Sequence, residues 1–233
     1  MAWLKRLRVP AFWRIPKKMS KWVVHPSPGP HKKFECIPLL ILIRDILKLA
    51  ETGKEAKKII KSGAILVDGR VRKDHRYPVG LMDVVEIPKL KKYYRIVPGK
   101  KGYLKIIEID EKEGKMKLLK IVNKTLVKGG RIQLNFHDGK NILIDEDVFK
   151  TGDSVLVSLP DLKILQHIKM KEGCLVLITK GKNAGKLGKL KEIKIVRGIE
   201  PNKTICEIEG KDEVVLLRNV FVVGEKEPVI TVV

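Results

Sequence analysis

The apolar positions along the chain change their period three times, and each change predicts a different kind of element. Around Leu40–Leu49 the chain is apolar over most of a helical circumference, with only Arg44, Asp45 and Lys48 as a polar side. That pattern predicts a helix buried against its neighbours. From Thr52 to Arg76 the pattern becomes amphipathic. Thr52 followed three residues later by Glu55 is a capping box and starts a helix. Ala56, Ile59 and Ile60 fall on one face of it, and Lys54, Lys57, Lys58 and Lys61 on the other. Gly63 suits the left-handed position that ends helices. Ile65, Leu66 and Val67 then read as a strand, and Asp68-Gly69 as a two-residue hairpin turn. Arg70 and Arg72 share one face of the returning strand with Val71 opposite, and Lys73, His75 and Arg76 extend the basic edge. Val84 to Ile87 is the closing strand.

From Leu90 to about Lys169 short alternating segments predict closely spaced strands: Tyr103–Ile109, Met116–Asn123, Arg131–Phe136, Asn141–Ile144 and Asp153–Leu159. Turns are expected at Glu111–Gly114 and His137–Lys140. This spacing suggests a small barrel or sandwich. From Gly173 an apolar strand enters a loop with glycine at 181, 185 and 188, followed by a strand at Leu190–Val196. Thr204–Glu209, Val214–Leu217 and Asn219–Val223 supply further strands, and the apolar tail Pro228–Val233 is expected as an edge strand.

Charge changes the picture most at the start of the chain. Residues 1 to 34 contain no acid and carry nine cations interleaved with all three tryptophans and with prolines at 10, 16, 26, 28 and 30. The prolines exclude a continuous helix, and the uncompensated charge opposes independent folding. Such an arm can place cations on phosphates and rings on exposed bases, or its tryptophans can pin it to the protein's own body. A mixture is expected, with one or two rings docked and the cations facing outward. The whole chain has 233 residues, 49 Lys plus Arg against 27 Asp plus Glu, and a net charge of +22. That balance fits a polyanionic partner. No apolar run approaches the ~20 residues that span a bilayer, so no membrane association and a cytoplasmic location are expected.

Candidate chemistry is sparse. Cys36, Cys174 and Cys206 are far apart and match no zinc spacing, so no metal and no cofactor are expected. The five histidines are scattered. Asp145-Glu146-Asp147 is the sharpest acidic cluster, but nothing nearby offers a cleft or partner base. The loop around Gly185-Lys186 fails the P-loop pattern, because Lys180 stands at the first glycine position and Leu187 where Ser or Thr is needed. Neither catalysis nor a small-molecule substrate is expected.

The helix–hairpin unit from Pro38 to Ile87 resembles the alpha-L RNA-binding motif. The strand, basic glycine loop and strand around Gly181–Lys189 resemble the KOW motif. Together, behind a basic aromatic arm, they resemble the archaeal and eukaryotic family of small-subunit ribosomal protein four, over essentially the whole chain. Few glutamines and abundant lysine favour an archaeal member.

The resemblance implies an α+β multidomain chain with an extended basic arm (1–36), an alpha-L module (37–90), a central β domain (91–169) and a C-terminal SH3-like KOW barrel (170–233). It implies a ribosomal constituent partnered by small-subunit rRNA and neighbouring ribosomal proteins. The expected RNA contacts are Lys5, Arg6, Arg8, Trp13, Arg14, Lys17, Lys18, Lys21, Trp22, Lys32 and Lys33 on the arm. On the module they are Arg44, Lys54, Lys57, Lys58, Lys61, Arg70, Arg72, Lys73 and Arg76, and on the loop Lys180, Lys182, Asn183, Lys186 and Lys189. The competing reading is a KOW-bearing transcription or RNA-processing factor acting off the ribosome.

Overall fold

The structure, a computed structural model, describes residues 3–196 and 198–232. It is mostly β with a few short helices, an α+β arrangement, and its chain gathers into two compact units. The first runs to Ile96 and adds Ile106–Lys115; the second comprises Val97–Lys105 and the chain from Met116 onward.

In the first unit the arm is folded. Strands β1 (Trp3–Lys5) and β2 (Trp22–Val24) pair antiparallel, with Lys5 opposite Trp22 and Trp3 opposite Val24. Leu4 and Val23, on the inner face, are buried together with Val9, Trp13 and Ile15. These apolar residues anchor a segment whose charge alone argues against folding. Further on, β3 (Cys36–Pro38) pairs with β6 (Pro78–Gly80). The expected helix around Leu40–Leu49 is shorter, and its second half is wound wider than an α-helix. Helix α1 (Leu39–Ile41) passes into a π turn (Leu42–Ile46), where the Leu47 amide reaches back to the Leu42 carbonyl. Lys48, at a φ of 53°, then ends it. As the pattern requires, Leu39 to Ile43 are all buried.

Helix α2 (Gly53–Lys61) has both halves of the capping box: the Thr52 hydroxyl accepts from the Glu55 amide, and the Glu55 carboxylate accepts from the Thr52 amide. Gly63 closes it at a φ of 79°. The hairpin joins β4 (Leu66–Val67) to β5 (Arg70–Val71), with Asp68 and Gly69 at φ values of 52° and 71°. Positive φ at both turn residues matches the right-handed strand twist. These strands lie in a five-stranded sheet of order β5-β4-β7-β8-β9, where β7 is Val84–Ile87, β8 Lys92–Pro98 and β9 Leu104–Ile109. The expected turn at 111–114 is a single helical turn, α3 (Glu111–Gly114). It is held by Arg95, whose fully buried guanidinium bonds the Glu113 carboxylate at 2.5 Å and its carbonyl at 3.0 Å.

The second unit holds two five-stranded antiparallel sheets. One has the order β12-β11-β10-β13-β14, from β10 (Met116–Leu126), β11 (Ile132–Phe136), β12 (Asn141–Ile144), β13 (Ser154–Ser158) and β14 (Ile164–Ile168). Strand β14 had no counterpart among the expected elements, because it shows weak alternation. Leu119, Ile121, Leu134, Phe136, Phe149, Val155 and Val157 form the core of this sheet.

The other sheet has the order β18-β17-β16-β15-β19, from β15 (Leu175–Ile178), β16 (Leu187–Lys194), β17 (Lys203–Ile208), β18 (Lys211–Leu216) and β19 (Val220–Gly224). The strand after the glycine loop therefore starts at Leu187, earlier than the apolar run suggests. Lys120 of β10 donates to the carbonyls of Leu217, Arg218 and Val220, at 3.4, 3.2 and 2.6 Å. Burial lowers the pKa of this ammonium to about 8. The tail makes only a bridge between Gly224 and Pro228, not an edge strand, among the described residues; Val233 lies outside them.

Candidate nucleic-acid interface

Helix α2 presents the most defined cationic surface. Its period buries Ala56 and Ile60, which turns Lys54, Lys57, Lys58 and Lys61 outward. With Ser62 these four lysines line a concavity of about 530 Å³. No salt bridge involves any of them among the described residues. The hairpin adds Arg70, exposed on β5, and Lys73, whose Cε lies 3.6 Å from where a Cβ on Gly63 would stand. Lys73 therefore reaches over the end of α2. Burial lowers the His75 pKa below the ordinary histidine value, and Lys57 lowers it further while Asp74 opposes them.

The arm divides into docked and displayed residues. Trp13 is completely buried, and its indole N–H donates to the Cys36 carbonyl at 2.8 Å. Arg6 is also buried, bonded to the Pro16 carbonyl and to the Ser20 hydroxyl at 2.9 Å. Both were expected to contact RNA; in this structure their polar atoms are engaged within the fold. Lys5, Arg8, Arg14, Lys17, Lys18, Lys21, Trp22 and Lys32 are exposed, and Lys33 is half-buried beside Phe34 at 5.2 Å. The later part of the arm is docked as well. His31 bonds Asp83 at 2.9 Å, Ser27 bonds Asp74 at 2.6 Å, and Arg76 donates to the His25 carbonyl at 2.9 Å.

Arg76 is thus a structural clamp more than a displayed cation. Arg44 is paired with Asp45 at 2.8 Å, and Arg72 is half-buried with its guanidinium 4.4 Å from the Tyr77 ring centre. These three belong to the fold's own interactions, which side-chain type alone does not reveal.

The glycine loop between β15 and β16 is partly neutralised. Lys186 pairs with Glu209 at 2.6 Å, and Lys182 stands 3.9 Å from Glu213. Lys180 and Lys189 are exposed, and Asn183 is half-buried with its carbonyl accepting from the Lys186 amide at 3.2 Å. A Cβ on Gly185, at a φ of 82°, would meet the Gly99 carbonyl carbon at 2.8 Å and the Pro98 oxygen at 2.9 Å. Close backbone approach at this glycine is therefore to the protein's own chain.

Sequence reasoning missed Trp3. It is 55% exposed on the outer face of β1, with the Lys57 ammonium 5.9 Å from its ring centre. The signal was the alternation Trp3-Leu4-Lys5, too short to stand out. The buried thiols offer no nucleophile. Burial, then Asp83, pushes Cys36 up to about 12, and burial raises Cys174 and Cys206.

Comparison with known proteins covers almost the whole chain. Residues 90–164 match the ribosomal family S4e, residues 3–34 the RS4NT (NUC023) domain, and residues 38–85 the S4 domain. The small ribosomal subunit protein eS4 of Archaeoglobus fulgidus is 53% identical over 96% of this chain and 93% of its own length. That of Methanothermobacter thermautotrophicus is 48% identical over 98% and 94%. The crystal structure of the 30S ribosomal protein S4e from Thermoplasma acidophilum is 34% identical. It covers 82% of this chain and 96% of its own, with a TM-score of 0.71.

Proposed function

The chain belongs to the S4e family of ribosomal proteins, and from that premise we propose that it is a non-catalytic constituent of the small ribosomal subunit. It binds rRNA there, in the cytoplasm, beside neighbouring ribosomal proteins. The observation that carries this reading is the open lysine face of α2, with Arg70 and Lys73 beyond it. Cations held on a rigid capped helix, without carboxylate partners, position a protein on a phosphate backbone without reading base sequence. Specificity then comes from the shape of folded RNA.

The finer organisation belongs to the same proposal. The second sheet of the second unit, with a glycine loop between its first two strands, supports an SH3-like KOW barrel over 170–233. The first sheet supports the later part of a central β domain over 91–169, whose strands β8 and β9 pair in the sheet of β7 instead, and the first unit supports an arm over 1–36 and an alpha-L module over 37–90. The displayed arm cations and Lys180, Lys182 and Lys189 provide secondary phosphate contacts.

A transcription or RNA-processing factor is the competing assignment, and the near full-length relatives with ribosomal names speak against it. The test is cosedimentation of the endogenous protein with small subunits after a moderate salt wash. Recovery mainly with RNA polymerase would refute the ribosomal reading.

A further inference from the structure

The outer face of the β1–β2 pair carries two tryptophans that the protein does not bury. Register places Trp3, Lys5, Trp22 and the buried Val24 on that face, with Lys5 directly opposite Trp22 and Val24 opposite Trp3. Trp3 is 55% and Trp22 46% exposed, whereas Trp13, on the same arm, is completely buried. The arm therefore had a way to hide an indole and used it once. Each exposed ring is attended by an ammonium: Lys57 at 5.9 Å from Trp3 and Lys21 at 5.5 Å from Trp22. Lys57 is also a wall residue of the α2 concavity, so Trp3 stands at the edge of the lysine face.

We propose that Trp3 and Trp22 form a stacking platform for unpaired bases of single-stranded RNA, with Lys57, Lys5 and Lys21 taking the adjoining phosphates. Diagonal neighbours across an antiparallel pair are about 7–8 Å apart, a distance that one flat base can bridge. Indole faces accept any base, so the platform selects for unstacked nucleotides over duplex and not for sequence. In the free protein the lysines lie over the rings as cation–π partners. A bound nucleotide offers each ring a base and each ammonium a phosphate, so both groups exchange a weak partner for a stronger one. Charge complementarity favours this occupant over a protein surface, because Lys5, Lys21 and Lys57 stand beside the two rings and residues 1 to 34 hold no acid.

This inference rests on the RNA-binding reading, and the test separates the two. The full-length protein is titrated with an adenosine decamer and with a ten-base-pair RNA duplex, following tryptophan fluorescence and, separately, filter retention. Trp3→Ala and Trp22→Ala are compared with Trp3→Phe, and thermal midpoints verify folding. The expected result is quenching by the decamer, with roughly a 10-fold loss of decamer affinity in each alanine variant. Duplex affinity should be unchanged and Trp3→Phe should retain most binding. Retention of both RNAs with silent tryptophans and unaffected alanine variants overturns the platform alone, and leaves the face to a protein partner. Failure of the wild-type chain to retain either RNA overturns the RNA-binding reading and the platform with it.

Discussion

Replacing Trp13 tests whether the basic arm is part of the folded body. The side chain is completely buried, and its indole N–H donates to the Cys36 carbonyl at 2.8 Å, 23 residues along the chain. Truncating a buried tryptophan to alanine costs about 3–5 kcal/mol, from lost transfer energy plus the cavity left behind. A domain's whole stability is about 5–15 kcal/mol, so Trp13→Ala should consume a third or more of that of the unit containing it. Trp13→Phe keeps most of the apolar volume but withdraws the donor from a buried carbonyl, at about 1–3 kcal/mol. The difference between the two variants separates volume from hydrogen bond. Urea unfolding followed by far-UV circular dichroism reads both, with Trp22→Ala as the exposed control, expected within about 0.5 kcal/mol of wild type. Limited proteolysis should cut the arm of Trp13→Ala faster than that of the wild type. If Trp13→Ala leaves the urea midpoint in place and the wild-type arm is already cleaved as fast, the docked arm is refuted and its cations are free to reorganise on RNA.

Changing Lys57, Lys58 and Arg70 together to Ala should lower the salt slope of rRNA binding by about 2–3, at about 0.7–0.9 per phosphate contact, with the melting temperature nearly unaltered; a large drop in melting temperature would show that they serve the fold. The fully buried pair of Lys117 with Asp138, 2.8 Å apart, should make Asp138→Asn cost about 3–5 kcal/mol at neutral pH, measured by urea unfolding. Burial raises the Asp138 pKa, but Lys117, His137 and Lys140 together outweigh it and hold it well below the usual carboxylate range. Its contribution is therefore complete above about pH 4 and lost as pH falls further, so mutant and wild type should converge in acid; a constant gap would contradict the pairing. Gly185→Ala should destabilise by about 1–3 kcal/mol through its positive φ and the approach to Gly99, with RNA affinity of the folded fraction unchanged. Lost RNA binding at an unchanged melting temperature would mean that this glycine admits RNA.

What was legible in the sequence is what is decided locally. The capping box at Thr52 and Glu55 and the Asp68-Gly69 turn are settled within four residues, so the structure follows the pattern closely there. The cationic face of α2 follows from the same period. What was not legible depends on partners distant in the chain. The choice of Trp13 over Trp3 and Trp22 for burial depends on the Cys36 carbonyl. The neutralisation of Lys186 depends on Glu209, and the clamp role of Arg76 on the His25 carbonyl. The arm's inner face, Leu4, Val9, Trp13, Ile15 and Val23, was masked by interleaved cations and prolines. A charge count reports how many cations exist and not how many are already engaged.

That last distinction ranks the RNA surfaces. Salt-dependent affinity comes from counterions released when a cation meets a phosphate. A lysine already held by a carboxylate must first give up that partner, and the freed carboxylate then repels the incoming backbone. Lys186 of the glycine loop is in that position, and Lys182 stands near Glu213; Lys120 is further removed, buried against three carbonyls. The four lysines of α2 have no such partner among the described residues, and the capped helix fixes the backbone that carries them. Most of the salt slope should therefore arise on the first unit, from α2, its hairpin and the displayed arm residues. The glycine loop contributes less than its lysine content implies, and its Gly185 is explained by packing on Gly99 without any RNA.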